Sequence, residues 1–334
     1  MTVHDVAARS GVSIATVSRA LREPHRVSAD TRERVLAAVS DLGYRPNRAA
    51  ASLRRGRTGV IALVVPDIEN PYFASLTKGA QAIARSRGYG LVVVDTTEQA
   101  DVEAEEIAAL RPQIDGIILA SSRLPDARLA EAVSGMRCVL INRDLSAVGF
   151  PAPTVTIDER AGGVAAVDHL FQQGHRRIAY VGGPASSWSQ QRRARGVREA
   201  AASRDGVTLI EVGNFAADAD GGRSAADAAL AERPTAVIAY NDLVALGLLA
   251  RWSEQRLRVP SDISLLGFDN TFVAELSSPR LTSVGADLRA FGEEAVGLLL
   301  EHVDGAEGDE AALHRELTPR LVVRDSTAAA QRPD

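Results

Sequence analysis

Residues 2–21 read TVHDVAARSGVSIATVSRAL, a stretch that contains two consecutive helix signals. Thr2, followed by Asp5 three positions later, is typical of a helix N-cap, and Gly11 is a residue type that ends helices. Ser13 provides a second N-cap directly afterwards. Two short helices joined by a tight turn predict a helix-turn-helix, a motif whose second helix can lie in the major groove of DNA.

The sequence around this motif predicts a small basic head. Ser28 begins a third helix-like segment that Gly43 ends. Residues 1–57 contain 11 arginines and 5 acidic side chains, a net charge of +6, although the whole chain carries −5. This asymmetry indicates a polyanion-binding module joined to an acidic body. After Pro46, the segment RAAASLRR is either a solvated linker or a short helix that orders when phosphates contact its arginines.

From Gly59 onward, short apolar runs alternate with amphipathic segments of helix length. The apolar runs include GVIALVVPD, LVVVD, DGIILA and CVLI, then TVTID, RRIAYVGG, AVIAYND and DISLLGFD. This alternation predicts βαβ units and parallel sheets, and the series restarts near residue 155. The predicted fold is therefore an all-α helix-turn-helix head plus an α/β core of two doubly wound parallel-sheet lobes. Polar residues follow the strand ends, where ligands bind in such sheets.

Several classes of protein are disfavoured. The sequence has no GxGxxG after the first strand and no GxxxxGK[ST], GxSxG or HExxH, and its six histidines lack ligand spacing. We therefore predict no catalytic residues, no metal and no cofactor. Cys138 is alone in an apolar run, which favours a buried, inert thiol. No apolar stretch reaches the roughly 20 residues that span a bilayer, and no signal-peptide core is visible. We expect a cytoplasmic protein without a membrane partner.

Specific motifs in order along the chain resemble one family. They are DVAARSGVSIATVSRAL, RERVLAAVSDLGYRPNRAAASLR, VIALVVPDIENPYF, GHRRIAYVGGP, AVIAYNDLVALG, VPSDISLLGFD and LVVRDST. Together they are similar to LacI-type transcription regulators from about residue 2 to 327. The resemblance implies a DNA-binding head, a hinge helix and a core like the periplasmic sugar-binding proteins. It also implies a homodimer that reads near-palindromic double-stranded operator DNA.

The resemblance also implies domain boundaries. We expect a helix-turn-helix domain at 1–46, a hinge at 47–58, a two-lobed core at 59–327 and a frayed tail at 328–334. Lobe 1 should contain about 59–158 and 286–318, and lobe 2 about 159–285 and 319–327.

The family's DNA-reading positions carry over onto the second helix and the hinge. Ile14 and Ala15 hold two leading base-reading positions, where they offer only apolar contact, or Ile14 is simply a core residue. Arg19 holds a third position and can bond a guanine with two hydrogen bonds. Thr16 and Ser18 suit phosphate contacts. The remaining expected DNA contacts are Ser13, Asn47, Arg48 and Leu53, of which Leu53 matches the leucine that wedges into the minor groove.

The resemblance places an effector site in the cleft between the lobes. The expected residues are Asn70, Phe73, Asn142, Arg143, Trp188, Arg193, Phe215, Asn241 and Asp269. Arg, Asn and Asp supply the donors and acceptors that sugar hydroxyls need, and Phe215 is expected to stack on the sugar ring. Trp188 is equally consistent with a packing role. For Asn241 and Asp269, the structural alternative to effector binding is a helix cap or turn.

The chain departs from sugar-binding relatives at Ala286, where they often carry Gln. A sugar effector is the main expectation, and a nucleoside or another non-sugar effector stays open. The main functional hypothesis is a repressor whose cleft ligand changes its affinity for the operator, with either sign. Two other hypotheses are disfavoured. A solute-binding protein would be expected to carry an export signal and an enzyme to carry catalytic motifs, and neither is visible in the sequence.

Overall fold

The computed structural model describes residues 1–44, 57–303 and 314–331. The chain divides into two compact units, Met1–Gly59 and Val60–Asp334. The second unit holds two six-stranded sheets, one in each lobe. A helical head and a core of two parallel-sheet lobes confirm the predicted fold.

The head consists of three helices that meet around a small apolar core. They are α1 (Val3–Ser10), α2 (Ile14–Arg22) and α3 (Ala29–Asp41), with a 3-10 turn at Pro24–Arg26. The predicted capping box is present, because the Thr2 hydroxyl accepts from the Asp5 N–H and the Asp5 carboxylate accepts from the Thr2 N–H. Gly11 ends α1 in the left-handed conformation, with φ of 70°. Apolar residues from all three helices are fully buried: Val6, Val17 and Val35.

Lobe 1 is built on a parallel sheet with helices on its two faces. Its strands are β1 (Val60–Val65), β2 (Gly90–Asp95), β3 (Gly116–Ala120), β4 (Cys138–Ile141), β5 (Thr154–Ile157) and β11 (His314–Leu317). Their order is β11-β5-β4-β3-β1-β2, with every pairing parallel. Its helices are α4 (Pro71–Ser86), α5 (Ala100–Leu110), α6 (Asp126–Val133) and α12 (Leu288–Val303), with 3-10 turns at Arg111–Gln113 and Ser146–Val148.

Lobe 2 repeats this arrangement with one difference at its edge. Its strands are β6 (Arg177–Gly182), β7 (Thr208–Asn214), β8 (Ala236–Ala239), β9 (Ser264–Phe268), β10 (Thr282–Gly285) and β12 (Arg320–Val322). Their order is β12-β10-β9-β8-β6-β7, and only the β10–β12 pair is antiparallel. Its helices are α7 (Glu159–Gln172), α8 (Trp188–Ala202), α9 (Ala219–Ala231), α10 (Asp242–Glu254) and α11 (Phe272–Leu276). The chain crosses between the lobes three times, after β5, after β10 and between β11 and β12. Residues that follow the strands of both sheets line one cleft.

Glycines allow helices to pack at very short range beside the cleft. A Cβ atom built on Gly163 of α7 would lie 2.6 Å from the backbone oxygen of Arg193 on α8. A Cβ atom on Gly196 of α8 would overlap the backbone oxygen of Arg160 on α7. The two glycines therefore bring the backbones of α7 and α8 together, and this contact sets the position of Arg193 at the cleft.

The C-terminal segment differs from the expected frayed tail, because residues 328–331 are bound to lobe 2. The backbone N–H of Ala328 donates to the Ser264 hydroxyl over 3.1 Å, and its carbonyl lies 3.0 Å from Nε2 of His175. The N–H of Ala330 donates to the carbonyl of Gln173 over 2.8 Å. These bonds satisfy backbone groups that composition alone cannot assign to partners.

The stability of lobe 2 around this attachment should depend on pH through two buried histidines, His175, which bonds the Ala328 carbonyl, and His169, which bonds the Thr327 hydroxyl. Burial lowers the pKa of both below the ordinary value of 6.5, although the Ala328 carbonyl opposes this for His175. A lowered pKa favours the neutral ring in the folded state, so the stabilisation is complete above about pH 6.5 and is lost as the pH falls. We expect the protection factors of the amides at 328–331, each taken against the intrinsic exchange rate at the same pH, to fall between pH 7.5 and 5.5. Equal protection at both values would show that the histidines do not hold the segment.

In the part of the chain that the structure describes, no helix combines the length and apolar character needed to cross a membrane.

Candidate functional site

The second helix of the head presents a mixed face of small and basic side chains. Ser13, Ala15 and Arg19 are exposed, whereas Thr16 and Ser18 are half-buried. The Arg19 guanidinium bonds only to the carbonyl of Ala15, over 3.3 Å, among the contacts of the described residues. An exposed arginine with free donors is suited to bonding a base edge or a phosphate.

Ile14 lies differently from the other residues of this face. It is half-buried and packs against the apolar core of the head. This placement favours a role for Ile14 as a core residue of the head over a role in apolar contact with the bases. The expected contacts Asn47, Arg48 and Leu53 lie outside the described residues.

The carboxyl ends of the strands in the core enclose a small cavity of about 20 Å³, hereafter the inner cavity. Six of the nine expected effector residues line it: Asn70, Phe73, Asn142, Arg193, Asn241 and Asp269. The other lining residues are Tyr72, Glu98, Ser121, Arg123, Ser189, Ala217 and Tyr240. Both lobes contribute, as a site between two doubly wound sheets requires.

Arg193 is the centre of a buried ion network at the inner cavity. Its Nε donates to Glu159 over 2.6 Å, and its Nη2 donates to Glu159 over 2.9 Å and to Asp269 over 2.8 Å. Its Nη1 donates to the Tyr240 carbonyl over 2.6 Å. The guanidinium carbon also lies 4.7 Å from the centre of the Phe268 ring. Two carboxylates and a carbonyl therefore compensate a cation that is almost wholly removed from water.

Negative charge exceeds positive charge around this network. Burial raises the pKa of Glu159 and Asp269, and the Arg193 guanidinium opposes that effect. Behind them, burial and then the charge of Asp269 raise the pKa of Asp242 to about 7. The Asp242 carboxylate accepts from the Ser283 hydroxyl over 2.6 Å and from the Thr271 N–H over 2.7 Å. Several carboxylates therefore lie close together in this site, an arrangement that is characteristic of binding sites.

The backbone around the cleft is strained at several strand ends. Non-glycine residues with positive φ follow four strands: Thr97 (49°) and Glu98 (60°) after β2, Ser121 (52°) after β3, Asn142 (50°) after β4, and Asp269 (90°) with Asn270 (48°) after β9. Left-handed backbone at residues with a Cβ costs free energy and is concentrated where function requires it. This clustering is independent support for a ligand site at the inner cavity.

Besides Asn70, whose Oδ1 caps α4 by accepting from the Tyr72 N–H over 3.0 Å, two of the expected amides have structural roles. The side-chain Oδ1 of Asn241 caps α10 by accepting from the Val244 N–H over 2.8 Å, and its Nδ2 donates to the Ala217 carbonyl over 2.8 Å. The Asn142 amide donates to the Tyr72 hydroxyl over 2.9 Å. These bonds fix the direction of both side chains at the wall of the cavity.

Arg143, Trp188 and Phe215 are not among the residues that line the inner cavity. Arg143 turns into lobe 1, where it donates to the Leu124 carbonyl over 2.7 Å and pairs with Asp126 over 2.7 Å. Trp188 is half-buried at the start of α8, with the Arg192 guanidinium over its ring. Phe215 packs partly against the core of lobe 2.

Ala286 packs partly against the apolar core of lobe 1. It is not among the residues that line the inner cavity.

Several residues of the site were not anticipated. Tyr72 stands between Asn70 and Phe73 and could have been found from the aromatic motif NPYF. Glu159 directly follows Asp158 at the end of β5, so the strand-end pattern pointed close to it. Glu98 and Arg123 pair with each other across a sequence separation of 25, and no local pattern signals that pairing.

A larger cavity of about 640 Å³, hereafter the outer cavity, shares Glu98, Arg123 and Ala217 with the inner one. Its other lining residues are Asp67, Ile68, Glu69, Asp95, Thr97, Pro184, Ser186, Ala216 and Asp218. Together the two cavities are large enough for a small polar molecule.

Comparison with known proteins identifies the family of this chain. It is 34% identical over 334 residues to the HTH-type transcriptional repressor CytR of Escherichia coli (strain K12), which covers 98% of this chain and 96% of CytR. The chain belongs to the lacI family of bacterial regulatory proteins. Residues 2–47 match the model of the bacterial regulatory proteins of the lacI family, and residues 167–327 match the model of the periplasmic binding protein-like domain. The resemblance predicted from the sequence is confirmed, and the lacI-family relatives are regulators rather than enzymes.

Solved structures of the lacI family share the fold over nearly the whole chain. The lac repressor dimer bound to operator and the anti-inducer ONPF has a TM-score of 0.85 and 28% identity, covering 98% of this chain and 99% of that chain. The complex of the transcriptional regulator CelR with cellobiose has a TM-score of 0.72 and 30% identity, with the same coverage.

Proposed function

We propose that this regulator is a cytoplasmic homodimeric repressor that binds a near-palindromic operator and is controlled by a sugar in the cleft between its lobes. The observation that carries the proposal is the pairing of a helix-turn-helix head with a polar, strained cleft centred on Arg193 and Asp269. The lac repressor structure, which is bound to operator, and the CelR structure, which is a complex with cellobiose, support both halves by analogy.

The aromatic residues of the inner cavity support a sugar over an anionic effector. Tyr72 and Phe73 meet edge to face, with ring centres 4.9 Å apart, at the start of α4. Aromatic faces cover the C–H patches of sugars, and the neighbouring amides and carboxylates bond hydroxyls. A nucleoside would use the same groups and is the second candidate, because this chain has Ala286 where sugar-binding relatives often carry Gln.

An exposed apolar pair on lobe 2 supports self-association. Phe272 and Leu276 occupy i and i+4 of α11, and they are 59% and 77% exposed. Neighbouring apolar side chains on a surface are typical of protein–protein contacts. Two-fold symmetry of the protein would be matched by a near-palindromic operator.

The effector acts by binding one arrangement of the lobes better than the other. A ligand that prefers the released state is an inducer, and one that prefers the operator-bound state is a corepressor. We expect a coupling free energy of about 1–3 kcal/mol. Operator titrations with and without ligand give both its sign and its size.

Arg19→Ala should weaken selection of the operator. Losing one bidentate hydrogen-bonded contact to guanine costs about 1–3 kcal/mol of discrimination against the wrong base. An operator would first be selected from random duplexes, and its affinity would then be measured against salt concentration, because phosphate contacts release counterions. Arg9→Ala, which removes an exposed arginine on α1 paired with Asp41, is the matched control. An Arg19 variant with unchanged preference at every base would contradict the assignment.

Leu53→Ala should abolish most specific binding and leave the core folded. The variant would lose the apolar wedge that unstacks a base step. It would therefore also lose the DNA bend that extends the protein–DNA contact. Operator affinity and the thermal midpoint of the core are the two measurements. Operator affinity equal to that of the unmodified protein would remove Leu53 from the interface.

A further inference from the structure

The arginines of the cleft are already bound to carboxylates of the protein. Arg193 is held by Glu159 and Asp269, as described above. Arg123, whose side chain is 6% exposed, is held by both oxygens of Glu98, and its Nη1 donates to the Ser121 carbonyl over 2.7 Å. An anionic ligand could use either guanidinium only by displacing a carboxylate, which would leave that carboxylate unpaired in a buried site.

The outer cavity adds further negative charge. Among the described residues that line it, five are acidic and one, the already paired Arg123, is basic. The acids are Asp67, Glu69, Asp95, Glu98 and Asp218. Burial raises the pKa of Asp67, and the hydrogen bond from the Glu69 N–H opposes this rise. The charges of Asp95 and Glu98 raise the pKa further, because the carboxylates repel each other. Low-dielectric walls lined by one sign of charge concentrate the field inside a cleft.

Two polar groups that remain available in the inner cavity suit donors and hydroxyls. Asp269 is 7% exposed, and its Oδ2 has no hydrogen bond within residues 1–44, 57–303 and 314–331. The Tyr72 hydroxyl accepts from Asn142, and its own proton has no acceptor in the same ranges. A free carboxylate oxygen binds an O–H or N–H donor, and a phenolic proton binds a hydroxyl or carbonyl oxygen.

We propose that this cleft selects ligands without an anionic group and favours those that carry a protonated amine. The inference rests on the proposed function, because it names the chemical class of the effector. Neutral sugars or nucleosides and their amino derivatives are accepted. Phosphate esters and sugar acids are rejected by carboxylates that outnumber the cations and by arginines that are not free.

The charge of the cleft can be measured without knowing the effector. Ser186 is exposed at the outer cavity, and Ser186→Cys places a thiol there. The native Cys138 is a silent background, because burial raises its pKa to about 12. The rates of a trimethylammonium methanethiosulfonate and a sulfonate methanethiosulfonate would be compared on the full chain. Ser253→Cys, at an exposed position on α10 outside both cavities, provides the reference ratio.

We expect the cationic reagent to be favoured at least about tenfold over the reference ratio, with the preference shrinking at high ionic strength. Asp67→Asn in the Ser186→Cys background should reduce the preference, since it removes one carboxylate of the same wall. A ratio at Ser186→Cys equal to the reference, or in favour of the sulfonate, would overturn the proposal.

Matched ligands provide the second arm. Thermal shifts of the full chain would be compared for glucose, glucosamine and glucose 6-phosphate, for ribose and ribose 5-phosphate, and for adenosine and its 5′-phosphate. Wherever a neutral parent binds, its phosphate ester should bind at least about tenfold more weakly. A phosphate ester that binds more tightly than its parent would overturn the inference. A panel without any shift would count against the effector role of the cleft, while the reagent ratio still decides its charge.

Discussion

Arg193→Ala is expected to destabilise the core by about 3–5 kcal/mol and to abolish ligand binding in the cleft. The loss is large because Glu159 and Asp269 would stay buried without their common cation. Their side chains are 2% and 8% exposed, so water cannot replace it. Chemical unfolding of the full chain, followed by tryptophan fluorescence, measures the free energy of unfolding. Trp252 is fully buried in lobe 2 and reports on the relevant part of the core.

The pH dependence of this variant separates a charge effect from a packing effect. Without Arg193, burial raises the pKa of Glu159 and Asp269 unopposed. A carboxyl with a raised pKa in the folded state favours folding below its unfolded pKa, and that contribution is lost as the pH rises through the folded value. The deficit of the variant should therefore grow from pH 5 to pH 8. A deficit that is constant over this range would assign the loss to packing.

Two further variants make the test specific. Arg195→Ala removes an exposed arginine from the same helix, and its pairing with Glu199 lies at the surface, so the expected change is below about 1 kcal/mol. Arg193→Met combined with Glu159→Gln removes the cation and one unpaired charge together. It should recover part of the stability of Arg193→Ala without recovering ligand binding.

Gly196→Ala is expected to cost about 3 kcal/mol and to weaken the cleft as well. The added methyl group would overlap the backbone oxygen of Arg160, which cannot move aside as a flexible side chain could. Helix α8 would have to shift away from α7, and Arg193 would move with it, away from Glu159. The thermal midpoint and the affinity for the cleft ligand should therefore fall together.

Gly297→Ala is the matched control for this prediction. Gly297 is also a helical glycine, in α12, but a Cβ atom built on it meets nothing within 4 Å. Alanine is favoured over glycine in a helix by roughly 1 kcal/mol, so this change should be neutral or stabilising. Equal losses in the two variants would mean that helix propensity or the denatured state, rather than the close contact, governs Gly196.

The fold could be predicted well from the sequence because its signals are local. Thr2, Gly11 and Ser13 define the head helices by hydrogen bonds within a few residues. Apolar runs of strand length define the two sheets in the same way, and polar residues after them mark the cleft. The family motifs extended this local information to the whole chain.

The state of the site depends on tertiary structure. The sequence marks Arg193 as a polar residue of a helix, but only the fold brings Glu159 and Asp269 to it from 34 and 76 positions away. The same is true of Arg143, which turns towards Asp126 instead of the inner cavity, and of Ala328, which finds Ser264. Long-range partners decide which donors and acceptors are already used and which remain for a ligand.

The sequence by itself thus determined the elements, their order, the family and the approximate edge of each sheet where a ligand binds. Periodicity, capping and strand-end chemistry act over a few residues and can be recognised without coordinates. Tertiary structure alone decided the charge available in the cleft, the half-burial of Ile14 and the attachment of residues 328–331. Those properties depend on distances between residues far apart in the chain and on the exclusion of water, and neither is encoded in a local pattern.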